Sequence, residues 1–199
     1  AAHPRLRNER TRKSLGLPAK GLVIGFVGRW SEEKNPLAFL DLAAACADLT
    51  NVSFVMTGTG KLRAEIEGRI EMEGLKLKRF KLLGLVEDPV AVIANLDLLV
   101  IPSLLDGRPI VALESIATGT PILASAVGGL PDLVRPEVSG WLVEPGNLML
   151  AESLLRKLAK APEMLDSIRP KVRAFAMVEA NYMRMASAFA NTLIRQSES

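Results

Sequence analysis

Residues 22–36 read LVIGFVGRWSEEKNP, and the first six form an unbroken apolar run closed by Gly21 and Gly28. A strand buried on both faces reads this way, and such strands belong to parallel sheets. The loop that follows ends in Asn35-Pro36, a capping residue before a proline at the first helical position. Leu37, Leu40, Ala44 and Ala47 then recur at helical spacing. The strand-loop-helix unit repeats along the chain. Residues 52–57 (VSFVMT) are a second strand, closed by Gly58-Thr59-Gly60, and Leu62, Ile66 and Ile70 mark the next helix. Further strands are expected at 79–83, 97–101 and 121–125, with helical patterns at 88–95 and 109–118 between them. A short sixth strand fits 141–143, after which Asn147 caps a helix with Ala151, Leu154, Leu155 and Leu158 on one face. The pattern predicts an α/β fold: a Rossmann-like, doubly wound parallel sheet of about six strands with helices on both faces. Right-handed connections then place a ligand crevice at the carboxyl ends of the strands.

Composition agrees and removes other classes. The chain has 199 residues, 49% of them hydrophobic and 24% charged, enough to bury a sizeable core and too apolar for global disorder. No stretch approaches the roughly 18 to 20 uncharged apolar residues of a membrane span. The net charge of +3 is unevenly spread. Residues 1–20 hold six basic groups against Glu9, so the remainder is slightly acidic and a general nucleic-acid binder is not expected. The single cysteine, Cys46, excludes a disulfide framework and a cysteine-ligated zinc site. The single histidine, His3, leaves no basis for a Ser-His-Asp triad or a multi-histidine metal site. The chain begins Ala-Ala-His-Pro, without an initiator Met or signal-peptide pattern, and reads as an excised or processed piece. Residues 4–15 read as a short basic helix on a solvated surface, ended by Gly16. The expected organisation is a lead-in helix and linker over 1–20, a Rossmann-like domain over 21–176, and a C-terminal helix over 177–199.

The loops after the strands are where chemistry belongs in such a fold. Gly28 lets a ligand approach the backbone, while Arg29 and Lys34 put two cations at the crevice mouth, suited to a diphosphate. The competing reading pairs these cations with Glu32 and Glu33 as ordinary loop charges. After the strand at 97–101, Pro109 suits the first position of a helix and leaves the N–H groups of Ile110 and Val111 free for an anion. Asp106 and Glu114 flank that helix start, one at the crevice mouth and one along its wall. A carboxylate at ribose distance accepts hydrogen bonds from both sugar hydroxyls, and one on a half-buried face needs partners. Gly58-Thr59-Gly60-Lys61 lacks both the third glycine of a dinucleotide fingerprint and the ending of a P-loop, and reads as a tight turn near the ligand. Gly128-Gly129-Leu130-Pro131 is a second glycine turn. The chain has no Asp-x-Asp pair. Cys46, Trp30, Trp141 and the apolar stripe Val178, Tyr182, Met185, Phe189 and Leu193 read as packing.

GFVGRWSEEKNP, MTGTGKLR, LLGLV, DLLVIPSLLDGRPIVALESIATGTPILAS, VGGLPDLV and SGWLVEPGN, in this order, resemble glycosyltransferase family 4 (group 1) from about residue 5 to residue 160. The resemblance is to the C-terminal, nucleotide-sugar-binding half of a two-domain GT-B enzyme, and implies that an N-terminal acceptor-binding domain is missing. It further implies metal-independent, retaining transfer of a sugar from a UDP-, GDP- or ADP-sugar, with no other cofactor. Arg29 and Lys34 match the pair that holds the donor diphosphate. Asp106 and Glu114 match the two acids of the Glu-x7-Glu motif, the first near the donor sugar and the second on the ribose. Gly107, Pro109, Ile110 and Val111 match the loop and helix start that meet phosphate and sugar, and Leu83-Gly84 the strand end beside the base. Gly28 and Gly58 complete the expected donor contacts. Asp106 departs from the family's usual Glu and is shorter by one methylene.

A glycan or lipid-linked acceptor is implied, as is a cytoplasmic enzyme, with its basic lead-in helix suited to the inner membrane face. The C-terminal helix would cross to the missing half, and the chain alone would bind donor without turning it over. The competing readings are a GT-B sugar-nucleotide epimerase or phosphorylase fragment, and a non-catalytic nucleotide-binding module.

Overall fold

The computed structural model describes residues 9–74, 79–107 and 109–178. The C-terminal helix expected over 177–199 lies outside the described residues beyond residue 178, as do residues 1–8. Six strands form one sheet: β1 (Leu22–Val27), β2 (Val52–Thr57), β3 (Phe80–Gly84), β4 (Leu98–Ile101), β5 (Ile122–Ser125) and β6 (Gly140–Val143). Their order is β3-β2-β1-β4-β5-β6, and every pairing is parallel. This is the doubly wound order, in which the chain builds outward from β1 in one direction and then returns to build from β4 in the other. The point of reversal lies between β1 and β4, so their carboxyl ends part and leave a crevice.

Helices α1 (Glu9–Ser14), α2 (Pro36–Ala45), α3 (Arg63–Met72), α4 (Pro89–Ala94), α5 (Ile110–Thr118), α6 (Leu130–Leu133) and α7 (Leu148–Lys160) connect or flank the strands, and residues 163–178 are also helical. That last helix runs unbroken across the boundary expected at 176/177. The core forms two layers, one on each face of the sheet. On the α2 and α7 face, Phe39 meets Phe26, Phe54 and Phe80 with ring centroids 5.9, 5.9 and 6.1 Å away. Tilted and edge-on pairs of this kind each add about 1 kcal/mol beyond the area they bury. Cys46 is buried in the same layer, and burial pushes its thiol up to about 11. Trp30 is buried there too, and Trp141 packs against both layers, as packing residues should.

Helix caps follow the sequence closely, with one shift. Asp88 and Asn147 accept from the N–H groups of Ala91 and Leu150 at the starts of α4 and α7. Asn35 precedes α2, but in the left-handed conformation and without a side-chain cap bond. Pro109 is the N-cap of α5 rather than its first residue, its carbonyl accepting from the N–H groups of Ala112 and Leu113.

The lead-in segment is not the solvated surface expected of it. Arg12 is buried, donating through Nε to the Asn95 carbonyl at 3.0 Å and pairing with the carboxylate of Asp97. Asp97 also accepts from the Val23 N–H at 2.7 Å and lies 3.7 Å from Arg169. One buried acid at the amino ends of the strands therefore joins α1, β1, β4 and the helix at 163–178. Leu17 is buried in the second core layer, so the segment packs with the body. Charge alone misread it, because a buried Asp97 needs partners and takes one of the segment's arginines.

Candidate functional site

The carboxyl ends of β1 to β5 are tied into one rim by backbone bonds between loops. Gly28 N–H donates to the Thr57 carbonyl, Trp30 N–H to Thr59, and Gly58 N–H to Gly84. On the other side, the Glu33 carbonyl accepts from Leu104 and Leu105, and the Asp106 carbonyl accepts from Gly129. Glycine is required where the loops touch. Gly58 has φ +136, and a Cβ there would lie 1.8 Å from the Gly28 oxygen. A Cβ on Gly128 would lie 2.2 Å from the Asp106 oxygen.

The rim encloses a cleft with two lobes that share Val27, Gly28 and Arg29. The main lobe, about 460 Å³, opens between β1 and β4 and is lined by Arg29, Ser31, Lys34, Ser103, Asp106, Ile110 and Val111 among others. The side lobe, about 290 Å³, reaches over β2 and β3 and is lined by Thr57, Gly58, Thr59, Leu85, Val86 and Pro89.

Lys34 Nζ lies 2.8 Å from Asp106 Oδ2, with the carboxylate almost fully covered and the lysine about a third exposed. Ser103 donates to the same oxygen at 3.4 Å. Asp106 therefore sits in the wall of the cleft and not at its mouth, because the loop after β4 folds back under Gly128 and Gly129. Arg29 is exposed and has no ion pair among the described residues. Neither cation pairs with Glu32 or Glu33. The N–H groups of Ile110 and Val111 have no partner among the described residues, and both residues line the main lobe. The hydroxyl oxygen of Ser31 is buried without a partner beside them.

Glu114 does not line either lobe, but it stands four residues after Ile110 and three after Val111, on the same helix face. It is half-buried, has no hydrogen-bond partner among the described residues, and burial raises its carboxyl above the ordinary range. Gly107 is exposed beside the main lobe, and Pro109 is buried at the helix start. Leu83 and Gly84 do not line the cleft either. A register shift between Met56 and Thr57 pairs Met56 with Leu82 and Thr57 with Gly84, and Leu83, partly buried, packs against the second core layer. The side lobe is lined instead by Leu85 and Val86. The Gly84 carbonyl stays inside the rim, accepting from Gly58 N–H at 2.9 Å and Thr57 Oγ1 at 2.5 Å. Thr57, Ser31 and Ser103 were not singled out from the sequence. The only signal for them was a hydroxyl residue at a strand end or in the loop after it.

Chemically, the main lobe gathers one exposed cation, one tethered cation, two free N–H groups at a helix start and an unpartnered hydroxyl. All of these are groups suited to an anion. Among the described residues, no three His, Cys, Asp or Glu side chains come together. No helix among the described residues is long and apolar enough to cross a membrane.

Comparison with known proteins points the same way. The family model described as "Glycosyl transferases group 1" matches residues 7–175. The chain is 35% identical over 166 residues to 2-deoxystreptamine glucosyltransferase of Streptomyces kanamyceticus, covering 81% of this chain and 43% of that protein. It is 33% identical over 135 residues to an Escherichia coli UDP-Gal:alpha-D-GlcNAc-diphosphoundecaprenol alpha-1,3-galactosyltransferase, covering 66% of this chain and 35% of that one. Among solved structures, HepE of Anabaena in complex with UDP superimposes with a TM-score of 0.81 at 25% identity, over 94% of this chain and 52% of that one. The C-terminal domain of a group 1 glycosyl transferase of Francisella tularensis has the same fold, with a TM-score of 0.78 at 21% identity, over 89% of this chain and 95% of that one. The chain thus spans between a third and a half of the length of the two curated relatives.

Proposed function

Because the chain belongs to the glycosyl transferases group 1 family, we propose that it is the donor-binding half of a retaining glycosyltransferase. Its substrate is a nucleotide-diphosphate sugar, whose diphosphate lies in the main lobe and whose base reaches into the side lobe. The observation that carries this reading is the convergence of Arg29, Lys34 and the free N–H groups of Ile110 and Val111 on one cleft at the β1/β4 switch point. Two cations and a helix start suit two phosphates, and the apolar Leu85 and Val86 suit the face of a base.

The same groups account for rate as well as binding. When the bond between the sugar C1 and the diphosphate oxygen breaks, its electron pair leaves with the nucleoside diphosphate. Arg29, Lys34 and the α5 N–H groups stabilise that growing charge more than they stabilise the ground state. The acceptor hydroxyl forms the new bond to C1 from the face the diphosphate leaves, and its proton passes to the departing diphosphate oxygen. In this account the cations and N–H groups of the chain neutralise the leaving group without a metal ion. Ser31 adds a hydrogen bond to a phosphate oxygen. Glu114 takes the ribose hydroxyls, which supply the partners its half-buried carboxyl otherwise lacks. Asp106 holds Lys34 and faces the space for the donor sugar.

The acceptor and the groups that bind it belong to a second, N-terminal domain, and a glycan or lipid-linked acceptor fits the family. We place the enzyme in the cytoplasm. HepE is described in complex with UDP, which makes UDP the first nucleotide to try. Equilibrium binding of nucleoside diphosphates to the chain, with Arg29 and Lys34 replaced in turn, tests the reading.

A further inference from the structure

We propose that the crevice between α2 and α7 is a second ligand site, for a single-ring molecule that carries a protonated amine. It stands apart from the donor reading and does not depend on it. The crevice opens at the carboxyl ends of β4, β5 and β6, on the opposite side of the Val100–Ile101 strand end from the main lobe of the donor cleft. Its volume is about 200 Å³. At roughly 30 Å³ per water in the liquid, that is room for about seven waters, or for one six-membered ring with its substituents.

The floor is apolar, with Leu42, Val100, Leu123 and Ala151 contributing to it. Three of the polar side chains around it make no hydrogen bond to a described residue: Ser125, Asn35 and the exposed Glu144. Ser125 is only 4% exposed as a residue, and its hydroxyl lines the cavity without a hydrogen bond to a described residue. Neither the Asn35 carboxamide nor the Glu144 carboxylate has one. A hydroxyl that opens on the cavity and bonds to no described residue is available to a ligand. Apolar floor, hydroxyl, amide and carboxylate together form the lining of a small-molecule site.

The sign of the ligand's charge follows from the rim. Asp41 is already held by Arg69 at 2.7 Å, which leaves Glu144 as the unpaired charge. Both helices that frame the crevice present their amino ends to it, and such ends ordinarily favour anions. Here α2 begins at Pro36, which has no N–H, and α7 is capped by Asn147, which takes the Leu150 N–H. Neither is a ready anion site. A cation placed on Glu144, with its ring on the apolar floor and a polar substituent on Ser125, satisfies the whole lining.

Three compounds with one ring and different charge test this: cyclohexylamine, cyclohexanol and cyclohexanecarboxylate. Each is titrated into the isotope-labelled chain while the amide resonances of Ser125, Leu148 and Ala151 are followed. Cyclohexylamine is expected to shift these amides saturably and bind about fivefold more tightly than cyclohexanol, the size of one solvent-exposed ion pair. Cyclohexanecarboxylate should bind most weakly, and saturating UDP should leave the amine's shifts in place. Glu144→Gln should erase the preference for the amine over the alcohol, and Ala38→Phe should fill the crevice and abolish binding of all three. If Ala38→Phe does not fold, Glu144→Gln, a rim substitution, still decides. No saturable shift with any of the three compounds overturns the site. Carboxylate binding as tight as the amine's, or an amine preference that survives in Glu144→Gln, overturns the assigned ligand class.

Discussion

Lys34 Nζ lies 2.8 Å from Asp106 Oδ2, and this pair ties the loop after β1 to the loop after β4 across the switch point. The carboxylate is covered and the ammonium lines the cleft, so the acid fixes the cation where the proposed diphosphate would lie. Lys34→Ala is expected to weaken UDP binding roughly 10- to 100-fold, the cost of one charge-assisted contact. It should also lower stability by about 2 kcal/mol, because Asp106 is left covered without its cation. The double variant Lys34→Ala/Asp106→Asn should recover the stability and not the binding. Urea melts and calorimetry on the three proteins check both halves, and a double variant as unstable as Lys34→Ala contradicts the pairing.

Gly58 carries the meeting of the β1 and β2 loops. Its φ of +136 and the 1.8 Å approach of the Gly28 oxygen to a Cβ leave no room for a side chain. Gly58→Ala must push the Gly28-Arg29 turn away from the β2 end, and Arg29 with it. A large loss of UDP affinity together with a drop in melting temperature is expected. Gly107→Ala meets open space and should change stability little. Equal melting temperatures for the two variants would contradict the account of the rim.

Glu114 has a cost that a ligand should relieve. Burial raises its carboxyl above the ordinary 4.5, so the folded chain binds that proton more readily than the unfolded chain does. Its contribution to stability is therefore present in acid and is lost as pH rises through the interval between the ordinary and the raised value. Glu114→Gln should raise the melting temperature by about 2 °C at pH 7.5 and lose that advantage near pH 4. It should weaken UDP several-fold and leave inorganic pyrophosphate binding unchanged, since only UDP carries a ribose. A variant that weakens both ligands equally would remove Glu114 from the ribose.

Arg12 is a basic residue of the lead-in segment that the body of the protein uses. Arg12→Ala takes from Asp97 the cation in contact with it, leaving Arg169 at 3.7 Å as the next one, and is expected to cost about 3 kcal/mol in chemical denaturation. Lys13→Ala, one residue on and exposed, should fall within about 0.5 kcal/mol of the parent. Comparable losses for the two would return the whole helix to the surface.

The sheet was legible because each strand is a short apolar run bounded by glycine, proline or a cap, and such runs admit few alternatives. β1 and β2 begin and end where the sequence places them, and the other four shift by a residue at one or both ends. The site was legible as residue types near strand ends, since a doubly wound fold brings those ends together. What escaped were pairings across the chain. Nothing local to Asp106 announces Lys34, which lies 72 positions earlier, and nothing in the basic run at 5–13 singles out Arg12 for Asp97. The side lobe is lined by Leu85 and Val86 beyond the end of β3, and the chain pairs irregularly with β2 just before them. Backbone register of that kind leaves no mark on hydrophobic pattern.

The central claim is that the cleft between β1 and β4 holds a nucleoside diphosphate. Calorimetric titration of UDP, GDP and ADP into the 199-residue chain tests it, with Arg29→Ala, Lys34→Ala and Cys46→Ala alongside. The account predicts saturable one-to-one binding of at least one nucleotide, weakened at least tenfold by Arg29→Ala and by Lys34→Ala and unchanged by Cys46→Ala. Absence of binding by all three nucleotides, or equal affinity for the parent and Lys34→Ala, would contradict it.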